Sequence, residues 1–182
     1  AEAKLELIES PSHHVTMKLA VIEGDPNNIG FGEVVLDASV EECSSAEYMN
    51  YSRRSYYDFY NKDGGILKNI FKNSNHCFIN RSIYDIGIPG FDHRQLVWKV
   101  IWRRIDEDTM VVVYQPITTG LDKVWKFPVT LEDVVNAESW TLVRFQKLPA
   151  VNGIPQTKMS YTTQINLAGY VPVIVLNALL PS

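Results

Sequence analysis

The side chains that could do chemistry in this sequence fall into a few sparse groupings. His13-His14 and His76-Cys77 are adjacent pairs of metal-ligating types. A structural zinc site takes four ligands in tetrahedral geometry, and these residues follow no familiar ligand cadence, so they read as ordinary surface or structural positions. Asp106-Glu107-Asp108 gathers three acids. A catalytic carboxylate pair needs an enclosing pocket that drives two protonation states apart, whereas consecutive acids in a turn face water. Cys43 and Cys77 form no CxxC pair and have no assigned His partner, so packed, reduced thiols are expected. Arg53-Arg54 and Arg103-Arg104 suit solvated faces or local salt bridges. Asn50-Tyr51-Ser52 and Asn80-Arg81-Ser82 match the glycosylation pattern, as short patterns often do by chance. Zincin, nucleophile-elbow and phosphate-loop signatures are missing, so the residues imply no metal, no cofactor and no catalytic set.

A different grouping stands out. Trp98, Trp102, Tyr114, Trp140 and Tyr161 fall on several predicted strands, where they would pack a core or line an apolar cavity. Arg144 shares an alternating face with Trp140, Leu142 and Gln146. If that face is inward, the charge needs a partner, either a polar lipid head or a protein acid. The opposite face, Thr141, Val143, Phe145 and Lys147, is nearly as apolar, so a pocket role, a salt bridge and simple exposure all stay open.

These residues need strands to position them. At 182 residues and 46% hydrophobic composition, the chain supports one folded core rather than a disordered polymer. Its formal charge of −4 disfavours a broad nucleic-acid surface. No apolar stretch reaches the roughly 20 residues of a membrane span. Met17–Ile22 and Gly32–Ala38 predict a hairpin around Gly24-Asp25-Pro26-Asn27-Asn28. One or two short helices are expected within Ser39–Tyr60, capped by Ser39 or Ser44. Strands follow at Ile66–Phe71 and Cys77–Tyr84, after the turn Asp63-Gly64-Gly65. In Leu96–Arg103, period two places Leu96, Trp98, Val100 and Trp102 inward, and Met110, Val112 and Tyr114 share a face of the next strand. Trp140–Lys147 and Lys158–Leu167 predict a last hairpin about Asn152-Gly153-Ile154-Pro155, with Met159, Tyr161, Thr163, Ile165 and Leu167 on one face. Pro172 then opens a helix that runs to Leu180 before Pro181.

The order of these elements resembles the START domain, the steroidogenic-acute-regulatory-protein-related lipid-transfer family. The likeness is local in the segment from Pro89-Gly90-Phe91-Asp92-His93-Arg94 through Trp102-Arg103-Arg104 to the Asp106-Glu107-Asp108 turn. Gln95 stands where the family pattern has an acid after the arginine. It is local again in Met159–Asn177, where a last strand meets a Gly-aromatic-Xaa-Pro junction, with Asn166 and Ala168 in place of the usual Asp and Lys. The resemblance implies an α+β helix-grip fold: a curved antiparallel sheet around a hydrophobic cavity, closed by a C-terminal helix that is short here. Residues 1–14 would be an N-terminal extension and 15–182 the START-like domain.

The function so implied is to bind, transfer or sense a sterol, phospholipid or other hydrophobic molecule, with transient membrane contact and a cytoplasmic or membrane-peripheral location. Ligand-wall residues would be Trp98, Trp102, Tyr114, Trp140, Tyr161 and Leu167, with Arg144 and Gln164 as polar contacts. Val173, Ile174, Leu176, Leu179 and Leu180 would form the apolar side of a lid. The alternatives are a regulatory or protein-interaction module whose cavity is filled by its own side chains, with a protein partner where the terminal helix is incomplete, and, more remotely, a helix-grip enzyme.

Overall fold

The computed structural model describes residues 4–10, 12–49, 52–119 and 133–169. The expected C-terminal helix, its lid residues Val173, Ile174, Leu176, Leu179 and Leu180, and Asn50-Tyr51 of the first sequon lie outside them. Among the described residues nine strands form one sheet: β1 (Lys4–Ile8), β2 (Thr16–Val21), β3 (Ile29–Leu36), β4 (Gly65–Ser74), β5 (Cys77–Tyr84), β6 (His93–Arg104), β7 (Thr109–Pro116), β8 (Val134–Val151) and β9 (Ile154–Asn166). Their spatial order is β1-β2-β3-β9-β8-β7-β6-β5-β4. Adjacent strands pair antiparallel, mostly with their sequence neighbours, while β3 closes onto β9 from Ile29↔Gln164 to Leu36↔Thr157. β1 lies inside the stretch expected to be an extension, yet it pairs with β2 over all five of its residues.

Two helices, α1 (Val40–Tyr48) and α2 (Arg53–Asn61), make the crossing from β3 to the far edge of the sheet. α1 begins at Ser39, whose hydroxyl accepts from the Glu42 amide while the Glu42 carboxylate accepts from the Ser39 amide. This capping box satisfies amide groups that a helix start leaves unpaired. Ser52, not Ser44, caps α2; Ser44 is buried and its hydroxyl donates to Met110 Sδ at 3.3 Å. Phe59 of α2 packs against Gly65, where any Cβ would collide with its ring and its carbonyl oxygen, so glycine is required at that contact.

The sheet face beneath α1 is the inner face. There Val40 and Cys43 of α1 pack on Phe78, Val100, Met110, Val112, Tyr114, Val143 and Phe145, with Trp98, Trp102 and Met159 partly buried alongside. Burial favours the neutral Cys43 thiol, raising its pKa. Both cysteines are free and buried, as their sequence context suggested.

Two irregularities shape the ends of the sheet. β7 pairs with β6 only from Trp98 to Arg104 and with β8 only from Thr109↔Gln146 to Tyr114↔Thr141. Beyond the end of β7 the flanking strands meet directly, His93–Leu96 pairing in parallel with Val134–Ala137. At the other end the β8–β9 hairpin outruns its neighbours. The pairing of β7 stops at Gln146 and that of β3 at Thr157, leaving the residues between as a two-stranded arm. Its tip is tighter than the sequence suggested: Asn152 and Gly153 alone make the turn, with φ of 52° and 79°. Positive φ at both central residues is the hairpin geometry that Asn-Gly favours.

Candidate functional site

Next to the packed core, on the same inner face, the strands line a cavity of about 530 Å³. Alternation fixes which side chains reach it: Leu96 and Trp98 from β6, Tyr114 from β7, Ser139 and Thr141 from β8, and Tyr161, Thr163 and Ile165 from β9, with Leu167 just beyond. Asn80 and Tyr84 of β5 and Lys68 of β4 complete the far wall, and Glu47 of α1 meets Tyr114 from above.

The wall is more polar than the aromatic pattern suggested. The Thr141 and Thr163 hydroxyls share a hydrogen bond of 2.8 Å, and Tyr114 Oη donates to Glu47 Oε1 at 2.6 Å. Trp98 turns its ring toward the cavity and donates through Nε1 to the Ser139 carbonyl at 3.0 Å. Burial pushes the Tyr84 and Tyr161 phenols above their ordinary pKa, so both are neutral donors at physiological pH; a hydrogen bond to Thr141 partly offsets the shift at Tyr161. Lys68 is only 8% exposed. Its Nζ donates to Ser55 Oγ at 3.1 Å and lies over the rings of Tyr56 and Phe59, while burial lowers its pKa and Asp63 partly restores it. Arg94, the residue after His93 at the start of β6, is 3% exposed and also lines the cavity.

The predicted site residues separate cleanly. Trp98, Tyr114, Tyr161 and Leu167 stand together on the cavity wall. Trp102 does not; its Nε1 donates to the Asn75 carbonyl at 3.0 Å, and its ring lies against His76 and Tyr48 outside this cavity. Trp140 and Arg144 lie away from the cavity, Arg144 in the exposed position that was one of its three open readings. The register of β8 turns Thr141, Val143 and Phe145 inward, leaving Trp140 half exposed and Arg144 exposed on the outer face. Gln164 also faces away: its Nε2 donates to Asp25 Oδ2 at 2.9 Å and the Asn27 carbonyl at 3.0 Å, tying the β2–β3 loop to β9. Arg104 pairs with Glu41, and Asp106, Glu107 and Asp108 are exposed, as a solvated turn requires.

Sequence reasoning missed Lys68, Asn80, Arg94, Ser139, Thr141 and Thr163 as wall residues. A signal existed for Thr163, which alternates with Tyr161 and Ile165. Lys68 falls within the expected Ile66–Phe71 strand, and only tertiary packing shows it to be buried.

No protein-family model and no curated protein matches the sequence. Solved structures do. Human StAR-related lipid transfer protein 5 superposes with a TM-score of 0.72 at 15% identity, over 96% of this chain and 78% of that one. A STAR-related lipid transfer protein from Xanthomonas axonopodis (fragment 25-204) gives 0.68 at 12% identity, over 96% and 88%. Human STARD10 gives 0.67 at 13% identity, over 96% of this chain and 65% of that one. At such identities the likeness is one of fold: this chain has an α+β fold consistent with helix-grip topology, with a large antiparallel sheet and two helices among the described residues. Norcoclaurine synthase from Thalictrum flavum is also matched, at a TM-score of 0.43, which is too low to carry an argument about chemistry.

Proposed function

We propose that this chain is a non-catalytic, START-like module that binds one hydrophobic molecule, of sterol or lipid type, in the inner-face cavity. The observation that carries the proposal is the cavity itself: about 530 Å³, with Ile86, Leu96, Trp98, Ile165 and Leu167 as apolar wall and hydroxyl and amide groups at fixed points between them. Ligand sites are commonly concave spaces of roughly 300–1,000 Å³, mostly apolar, in which a few polar groups set orientation. Binding would remove apolar ligand surface from water, at roughly 25 cal/mol per Å² before the entropic costs of association. A space of this size also favours a carrier over a module filled by its own side chains. Transfer or sensing would then involve transient contact with a membrane surface. Among the described residues no helix is long and apolar enough to cross one.

The test is native mass spectrometry of protein purified gently from a lipid-containing host, followed by identification of the co-purified ligand and stoichiometric rebinding. One ligand per chain is expected. Reproducible failure of folded protein to bind any sterol or major lipid class would sink the proposal and leave the fold intact.

A further inference from the structure

The charges around the cavity are not evenly placed. Asp63 and Asp85, both lining residues, are exposed at its mouth, and Asp85 Oδ1 is taken by the Gly87 amide at 2.8 Å. The two deeply buried charged residues of the wall, Lys68 and Arg94, are both basic. Glu47, half buried, already accepts the Tyr114 hydroxyl.

Arg94 is the sharper case. Its Nε donates to the Leu167 carbonyl at 2.8 Å and its Nη1 to the Asp92 carbonyl, which together aim the guanidinium. Those bonds use two of five N–H donors and bring no negative charge. No carboxylate among the described residues pairs with it, and Nη2 has no hydrogen bond to them. The polar side-chain atoms sealed without a partner among the described residues are Asn69 Oδ1 and His93 Nδ1; Nη2 is not one of them, and Arg94 lines the cavity. A cation held away from water by neutral acceptors is costly unless a counter-charge arrives. Nη2 and the second N–H of Nη1 are the donors left to receive an oxyacid head through parallel hydrogen bonds.

We infer that the cavity takes an anionic amphiphile, with a carboxylate or phosphate head received by Arg94 and an apolar body against Trp98, Leu96, Ile165 and Leu167. The inference rests on the carrier function proposed above and narrows it. Volume points the same way. About 530 Å³ equals on the order of eighteen water volumes, which suits a single acyl chain or a compact ring system better than a two-chain phospholipid.

The test compares three probes of one chain length, oleate, oleyl phosphate and oleyl alcohol, by titration calorimetry on the full chain and on Arg94→Gln. At least one acid should bind roughly 10- to 100-fold more tightly than the alcohol, the range expected of a charge-assisted hydrogen bond. Which acid wins identifies the head. Arg94→Gln should abolish that preference, bringing acid and alcohol affinities within about threefold of each other. If this variant does not fold, the acid-to-alcohol ratio of the native chain decides alone. Alcohol binding as tight as both acids, or a preference that survives Arg94→Gln, would overturn the anionic head and leave the carrier proposal standing. Binding of none of the three would overturn the inference, and only failure across the wider lipid panel would remove the carrier as well.

Discussion

One sheet face carries two regions built from the same strands, and they differ at almost every strand by a single same-face step. Under α1 the inward residues are Phe78, Val100, Val112, Val143 and Phe145, none more than 1% exposed. One step along, the inward residues become Asn80, Trp98, Tyr114, Thr141 and, on β9, Tyr161 after Met159. The covered half has an apolar side chain wherever the helix presses down. The open half replaces it with a hydroxyl, an amide or an aromatic with a polar tip, groups that tolerate a space which water or a ligand can enter. What separates core from cavity here is the switch in side-chain chemistry within each strand rather than a change of fold.

Substitutions should therefore act differently in the two halves. The largest effect is expected from Phe145→Ala, which removes a fully buried ring under α1 and should cost about 3–5 kcal/mol in denaturant unfolding. A loss below about 1 kcal/mol would show that the covered half does not hold the sheet together. Thr141→Val, in the open half, breaks the shared hydrogen bond with Thr163 and should cost about 1–2 kcal/mol. Unlike Phe145→Ala, it should also alter ligand affinity, which equilibrium binding would read. Ser39→Ala removes the α1 cap and should cost about 1 kcal/mol without changing cavity binding; a matching loss of affinity would mean that the cover and the cavity are coupled.

The smallest effect is a trend with pH. Burial holds the Lys68 pKa below its free value of 10.5, so the folded state is penalised while the amine is charged in both states. Between its folded and free pKa the unfolded chain binds the extra proton, and stability rises with pH. Lys68→Met should accordingly stabilise the protein at neutral pH, with the gain shrinking as pH approaches 10.5. Thermal melts of both proteins across this range check the sign, and a gain that grows with pH would contradict it.

Much of the architecture was legible from alternation alone. The β2–β3 and β6–β7 hairpins, the helical stretch after Ser39 and the inward positions Trp98, Val112 and Tyr114 follow from period two and turn chemistry. β8 was not, because both of its faces are apolar: Trp140 and Leu142 compete with Val143 and Phe145. Hydrogen-bond register with β7 and β9 decides between them, and that information is non-local. The same limit hid the site. Aromatic content pointed to Trp98, Tyr114 and Tyr161, but the polar half of the wall is set by which threonine, asparagine or arginine the pairing turns inward. Arg94 illustrates this, since the sequence shows its unusual neighbour Gln95 but not the burial that gives its charge a consequence.

The arm formed by the overhanging β8–β9 hairpin offers a practical handle. It projects from the end of the sheet opposite the Thr141–Thr163 bond, and its base is fastened where Thr157 Oγ1 donates to the Ala38 carbonyl at 2.8 Å. Val151 and Ile154 beside its tip are about half exposed, and tight, solvated tips of this kind accept inserted sequence readily. A fluorophore, affinity tag or lipid-tethering peptide spliced between Asn152 and Gly153 would therefore report on the cavity from a distance while leaving every wall residue as it stands.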